Sequence, residues 1–294
     1  MKIRNIIAAA VSAVMFFTAA GCAARTPDKT RRQEESSVSS ISSAAAESKE
    51  EITASKSSSK ISKTDCSMFR RVCCIGDSFT AGYTLDSSGF ATETNEDLAW
   101  PHYMSEMTGC EYINCGKSGA TAESWLYTPR GLPKAKETGK VDAYIIGLGL
   151  NDASDSPGMH LDVGTADDIG SDKTSFYGCM SRIVREVHDI SPDSCIFMQT
   201  MPDGENGGYD AERYDPYNDA IRDICAEYEK DYNTRLLDLE KYKDRYLNDK
   251  VLLDNAVAGH YYPEGYREFA VLLYDIWNEY LREHSDESDD SELS

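Results

Sequence analysis

The chain has 294 residues, and its 51 acidic against 30 basic side chains leave a formal charge of −21. Phosphate backbones and anionic lipid surfaces are bound by clustered Lys and Arg, so this balance argues against nucleic acid or anionic membrane as a partner. The charge promotes solubility and identifies no substrate.

Lys2 and Arg4 precede an apolar or small-residue run from Ile6 to Ala20 that ends at Gly21-Cys22. The run is shorter than the roughly 20 apolar residues a comfortable membrane span needs. A charged start, a short apolar stretch and small residues read instead as an export signal over residues 1–22. Ala19-Ala20-Gly21-Cys22 resembles a bacterial lipobox, with Ala19 where Leu is usual. Lipidation at Cys22 would leave an extracytoplasmic protein held by a lipid anchor, and plain secretion or an uncleaved anchor is the alternative. Residues 23–65 are dominated by Ser, Ala, Lys and Glu and bury too little apolar surface to offset ordering entropy, so a flexible linker is expected. Residues 66–284 have the size of one domain, and the acidic 285–294 read as a disordered tail.

Within the domain, short apolar runs alternate with segments of helical period, the pattern of an α/β fold with a parallel sheet between two helical layers. The expected strands are Val72–Ile75, Glu111–Asn114, Val141–Leu148, Ser194–Thr200 and Arg235–Leu239. Helices are expected over Leu98–Met107, near Ala122–Ala135, and over Thr174–Asp189, Pro216–Asp231 and Glu264–Glu283. The last repeats Tyr266, Phe269, Ala270, Leu273, Ile276, Trp277 and Leu281 at steps that make one buried face. In such open sheets ligands bind beyond the carboxyl ends of the strands.

Beside Cys22 there are Cys66, Cys73, Cys74, Cys110, Cys115, Cys179, Cys195 and Cys225, with no CxxC. Zinc-ligand spacing is therefore missing and no metal is implied. Cysteines in apolar runs act as small buried hydrophobes, so free thiols are expected, with a Cys110–Cys115 disulfide as the alternative.

Four polar motifs fall at strand exits: Gly76-Asp77-Ser78-Phe79-Thr80, Asn114-Cys115-Gly116-Lys117-Ser118-Gly119, Gly149-Leu150-Asn151-Asp152, and Gly259-His260-Tyr261-Tyr262-Pro263 before the last helix. In this order and at these positions they resemble the blocks of the GDSL/SGNH hydrolase family across the whole domain. The resemblance implies a flavodoxin-like α/β/α fold and a serine esterase working through an acyl-enzyme. It implies Ser78 as nucleophile, His260 as general base, and an oxyanion hole of the Ser78 and Gly119 amides with the Asn151 side chain. It implies no cofactor. Acyl transfer needs such a set: an activated nucleophile, a base, and donors aimed at the developing oxyanion.

One departure concerns the residue that orients the imidazole. The family usually has Asp three residues before the histidine, where this chain has Val257. Asp254, six residues before His260, is one candidate for the orienting acid, and a Ser–His dyad with a backbone carbonyl is the other. Each motif taken singly also reads as an ordinary turn or helix cap.

The substrate expected is a small-molecule or polysaccharide ester, with carbohydrate O-acetyl groups favoured by surface tethering, and the protein is expected to be a monomer. A lysophospholipase-type activity, an acyltransferase and a binding protein without turnover are the alternatives. Residues 152–172 and the loop 203–208 are expected to wall the pocket. Trp125, Tyr127, Tyr209, Tyr214, Tyr261 and Tyr262 are candidates for stacking on a sugar ring, and half-buried packing is the default reading for the tyrosines on helices.

Overall fold

Val72, Cys73, Cys74 and Ile75 are fully buried, as befits a central parallel strand covered on both faces. They belong to β1, Arg71–Gly76, in a computed structural model that describes residues 65–85, 91–92, 94–202, 210–257 and 259–284. The expected signal peptide with Cys22, the linker up to residue 64, the acidic tail and the loop 203–209 lie outside the described residues.

In chain order there follow α1 (Ser78–Ala81), the short β2 (Thr84–Leu85) and β3 (Ala91–Thr92), α2 (Trp100–Thr108), β4 (Glu111–Gly116), α3 (Ala122–Trp125), α4 (Leu132–Thr138) and β5 (Ala143–Gly147). Then come α5 (Phe176–Ile190), β6 (Cys195–Gln199), α6 (Ala211–Tyr232), β7 (Thr234–Leu237), α7 (Lys243–Asn248), α8 (Lys250–Asn255), β8 (Ala256–Val257), β9 (His260–Tyr261) and α9 (Pro263–Glu283). The five long strands form one parallel sheet in the order β4-β1-β5-β6-β7. The order reverses at β1, and the loops leaving β1 and its neighbours diverge there to open a crevice.

Strand alternation divides the core. Cys73, Ile75, Tyr144 and Ile146 pack with α5 and α6, while Val72, Cys74, Ile145 and Phe197 pack with Trp100 of α2 and Phe269, Leu273 and Trp277 of α9. This is the expected α/β/α sandwich, with all five strands where the apolar runs fall.

Two helices differ from expectation. The helix expected near Ala122–Ala135 is two helices, because a Cβ at Gly131 would lie 1.9 Å from the Trp125 carbonyl and Pro133 suits only a helix start. The helix expected from Pro216 starts at Ala211 and carries Pro216 inside it. All eight described cysteines are free. The alternative Cys110–Cys115 bridge is not formed: Cys115 Sγ lies 3.5 Å from Cys73 Sγ, and Cys110 Sγ faces the Ser67 carbonyl at 3.4 Å.

Candidate active site

β1 ends at Gly76, and Asp77 caps the helix that follows by accepting the Phe79 amide at 3.0 Å. Ser78 is therefore the first residue of α1, where a backbone N–H has no intrahelical acceptor. The histidine arrives from the far end of the sequence. β8 and β9 form a tight hairpin through Gly259, whose φ of 76° suits glycine, and Pro263 then opens α9. His260 Nε2 lies 2.8 Å from Ser78 Oγ. That is the contact through which an imidazole takes a serine proton.

Asn151, in the loop after β5, joins the other two loops to the nucleophile. Its Nδ2 donates to the Ala120 carbonyl at 3.0 Å and to Asp77 Oδ2 at 3.3 Å. The loop after β4 is fixed by the Lys117 amide, which donates to the Gly76 carbonyl at 3.0 Å. Gly119 in that loop has φ of 72°, and the atom nearest its Cβ position is Met159 Cε at 3.5 Å. The structure thus puts Ser78 and His260 in direct contact and ties Asn151 to Asp77, the residue before Ser78, and to the carbonyl of Ala120, the residue after Gly119.

Two carboxyls lie beneath this set. Burial pushes Asp77 up to about 7, against the lowering effect of the Phe79 amide. Asp152 is also pushed up to about 7, first by burial and further by the nearby Asp77 charge, while its bond from the Ala122 amide at 2.9 Å works the other way. Asp152 Oδ2 is buried without a hydrogen-bond partner, the environment of a neutral acid.

Asp254, weighed as the orienting acid, is not brought to the imidazole. It sits on α8, is largely exposed and pairs with Lys250 one turn earlier. The reason is helical spacing: residues four apart share a face, and this one faces solvent. Val257 is instead the cross-strand partner of His260. The imidazole contacts two aromatic rings, Phe79 at a centroid distance of 5.5 Å and Tyr83 at 4.6 Å. Both were missed from sequence; adjacency to Ser78 is a signal for Phe79, and nothing local marks Tyr83.

Of the aromatic candidates for a sugar platform, Trp125, Tyr214 and Tyr261 follow the packing alternative and are buried. Tyr262 is half-buried, Tyr127 is exposed and takes a hydrogen bond from Arg182 at 3.0 Å, and Tyr209 lies outside the described residues. The segment 152–172 is tied down by the Leu161 amide to the Asp152 carbonyl and by Tyr217 Oη to the Leu161 carbonyl at 2.8 Å. Met159 was not foreseen either; only its position within that segment hinted at it. Among the described residues no group of three or more His, Cys, Asp or Glu is placed to hold a metal ion.

The structure of a family two carbohydrate esterase from Clostridium thermocellum in complex with cellohexaose matches with a TM-score of 0.51 at 17% identity, over 71% of this chain and 64% of that one. A Corynascus thermopiles carbohydrate esterase family 2 enzyme with its carbohydrate binding domain matches with a TM-score of 0.49 at 16% identity, over 72% of this chain and 65% of that one. An alpha/beta hydrolase enzyme from the metagenome of Lake Arreo, Spain, matches with a TM-score of 0.48 at 18% identity, over 71% of this chain and 96% of that one. The chain therefore spans less than two thirds of the length of either carbohydrate esterase. No curated protein matches the sequence. The model of GDSL-like lipases and acylhydrolases matches residues 74–268, a span that holds Ser78, Gly119, Asn151 and His260, and the chain belongs to that family of ester-bond hydrolases.

Proposed function

We propose that this protein is an extracytoplasmic serine esterase that removes short acyl groups, acetyl above all, from carbohydrate esters. The observation that carries the reading is the 2.8 Å contact between His260 Nε2 and Ser78 Oγ. In this reading His260 takes the Ser78 proton as Oγ attacks the ester carbonyl. The oxyanion is received by the Ser78 and Gly119 amides and Asn151 Nδ2, and the alcohol leaves with the proton from His260. Water, deprotonated by the same imidazole, then releases the acid and frees Ser78.

Two features support a short acyl group and a carbohydrate alcohol. Met159 Cε lies 3.5 Å from the Cβ position of Gly119 and narrows the space beside the oxyanion position. The same fold in the Clostridium thermocellum carbohydrate esterase is seen with cellohexaose. Export, a lipid at Cys22 and the Ser-rich linker would hold the domain where polysaccharides lie.

The test is acetate release from O-acetylated oligosaccharides, measured beside hydrolysis of p-nitrophenyl decanoate. Serine-dependent acetate release at a far higher kcat/KM than decanoate supports the proposal. Preference for decanoate, or for lysophospholipid, refutes it.

A further inference from the structure

The Ala120 amide donates to the Lys117 carbonyl at 3.0 Å, which closes residues 117–120 into a β-turn. Gly119, the third residue of that turn, has φ of 72°. Among the described residues Asn233 alone of the non-glycines has positive φ, so Ser118 lies at negative φ. A negative φ followed by a positive one is the type II turn. Its middle peptide, from the Ser118 carbonyl to the Gly119 amide, takes no part in the closing bond. Rotating that peptide by about half a turn gives the type I turn, with the carbonyl where the amide stood.

The two ends of the turn are held by their own partners. The Lys117 amide donates to the Gly76 carbonyl at 3.0 Å, at the exit of the nucleophile strand, and the Ala120 carbonyl accepts Asn151 Nδ2 at 3.0 Å. Among the described residues the Gly119 amide has no acceptor, and the Ser118 carbonyl takes one bond, from Lys117 Nζ at 2.6 Å. Carbonyl and amide of a trans peptide point opposite ways, so an ammonium on the Ser118 oxygen directs the Gly119 N–H to the other side. The contact is also charge-assisted, and a hydrogen bond to a carbonyl polarises its peptide and strengthens the N–H as a donor. Among the described residues Lys117 forms no ion pair, so its charge is not spent on a carboxylate.

We propose that Lys117 is a positioning residue, whose ammonium locks the Ser118–Gly119 peptide with its N–H turned to the oxyanion and raises the strength of that donor. The inference rests on the serine esterase reading, in which the Gly119 amide receives the oxyanion. The flipped peptide would set a carbonyl oxygen against the developing negative charge, so the hole would lose a donor and gain a repulsive partner.

The experiment compares the parent chain with Lys117→Met, which keeps the length without the charge, and Lys117→Arg, which keeps the charge. It reads kcat and KM on p-nitrophenyl acetate, and the inhibition constant of an alkyl trifluoromethyl ketone, whose adduct with Ser78 carries the oxyanion. Thermal melting checks folding, and Lys117→Gln takes the place of Lys117→Met if that variant fails to fold. One whole oxyanion donor is worth about 10²–10³ in rate, and Gly119 still favours its positive φ without the lysine, so Lys117→Met should lose about tenfold in kcat. KM should change little and the inhibition constant should rise by about the same tenfold, since an interaction made in the transition state is read by its analogue. Lys117→Arg should stay within about threefold of the parent. A folded Lys117→Met with parental kcat overturns the proposal, as does a rise in KM alone, a loss of kcat with an unchanged inhibition constant, or an equal loss in Lys117→Arg. Labelling of Ser78 by a fluorophosphonate separates the two readings. A parent chain that is labelled but hydrolyses no ester refutes the esterase, and the labelling rate then tests Lys117 through the phosphonyl oxygen, while a chain inert to both refutes both.

Discussion

Asn151 Nδ2 donates to Asp77 Oδ2 at 3.3 Å while the same nitrogen donates to the Ala120 carbonyl at 3.0 Å, so one amide links the loops that follow β1, β4 and β5. The longer bond, to Asp77, is the one we expect a substrate oxyanion to replace. On this hypothesis Asn151→Ala removes a donor and loosens two loops together. A loss of about 10²–10³ in kcat is predicted, the usual cost of one oxyanion donor. Steady-state kinetics on p-nitrophenyl acetate checks it, and a loss below about fivefold would remove Asn151 from the oxyanion hole.

The buried carboxyls make stability depend on pH with a definite sign. Asp77 and Asp152 are raised from an ordinary value of 3.8 to about 7 in the folded chain. Between about pH 4 and pH 7 the folded chain holds protons that the unfolded chain has released, so their contribution is full below pH 4 and is lost as pH rises towards 7. The melting temperature should fall across that window, and fall less steeply in Asp77→Asn and Asp152→Asn, which keep the shape without the charge. Each kcal/mol of ionisation cost corresponds to about 2–4 °C for a domain of this size. Parallel pH profiles in parent and variants would show that these carboxyls are not the source.

Met159 Cε stands 3.5 Å from the Cβ position of Gly119, and we predict that it limits acyl length. Met159→Ala should raise kcat/KM for butyryl and hexanoyl esters relative to acetyl by about tenfold, since a hydrophobic pocket discriminates by about 1–3 kcal/mol per methylene. An unchanged chain-length profile would place the acyl group elsewhere.

The histidine hairpin yields a prediction for the acid that lies before it. Asp254 is a surface partner of Lys250, so Asp254→Asn should change kcat/KM by less than about twofold and stability by less than about 1 kcal/mol. A large loss in Asp254→Asn would contradict this account of the hairpin.

The strands and the last helix were legible because their burial is written as local patterns. Val72–Ile75 is an apolar run, and Tyr266 to Leu281 repeat at helical steps. The contact of Ser78 with His260 was open to expectation because both sit in motifs at strand exits, although 182 residues separate them. What local pattern does not carry is direction. Asp254 is near His260 in sequence, yet one turn of helix points it to Lys250. Tyr83 reaches the imidazole only because Gly82 turns the chain and Tyr266 holds it there, and neither relation leaves a periodic trace. Trp125, Tyr214 and Tyr261 have the composition of a sugar platform but serve the core, since large rings dominate buried area wherever a helix or strand faces inward.

The central claim is that Ser78, activated by His260, forms an acyl-enzyme. Its most direct test is the hydrolysis of p-nitrophenyl acetate by the domain from residue 65 onward, beside Ser78→Ala, with mass spectrometry of the quenched parent. The account predicts turnover that falls by at least about 10³-fold in the variant and an acetyl group trapped on Ser78. Turnover retained in a folded Ser78→Ala, or an acetyl group found on another residue, would contradict it.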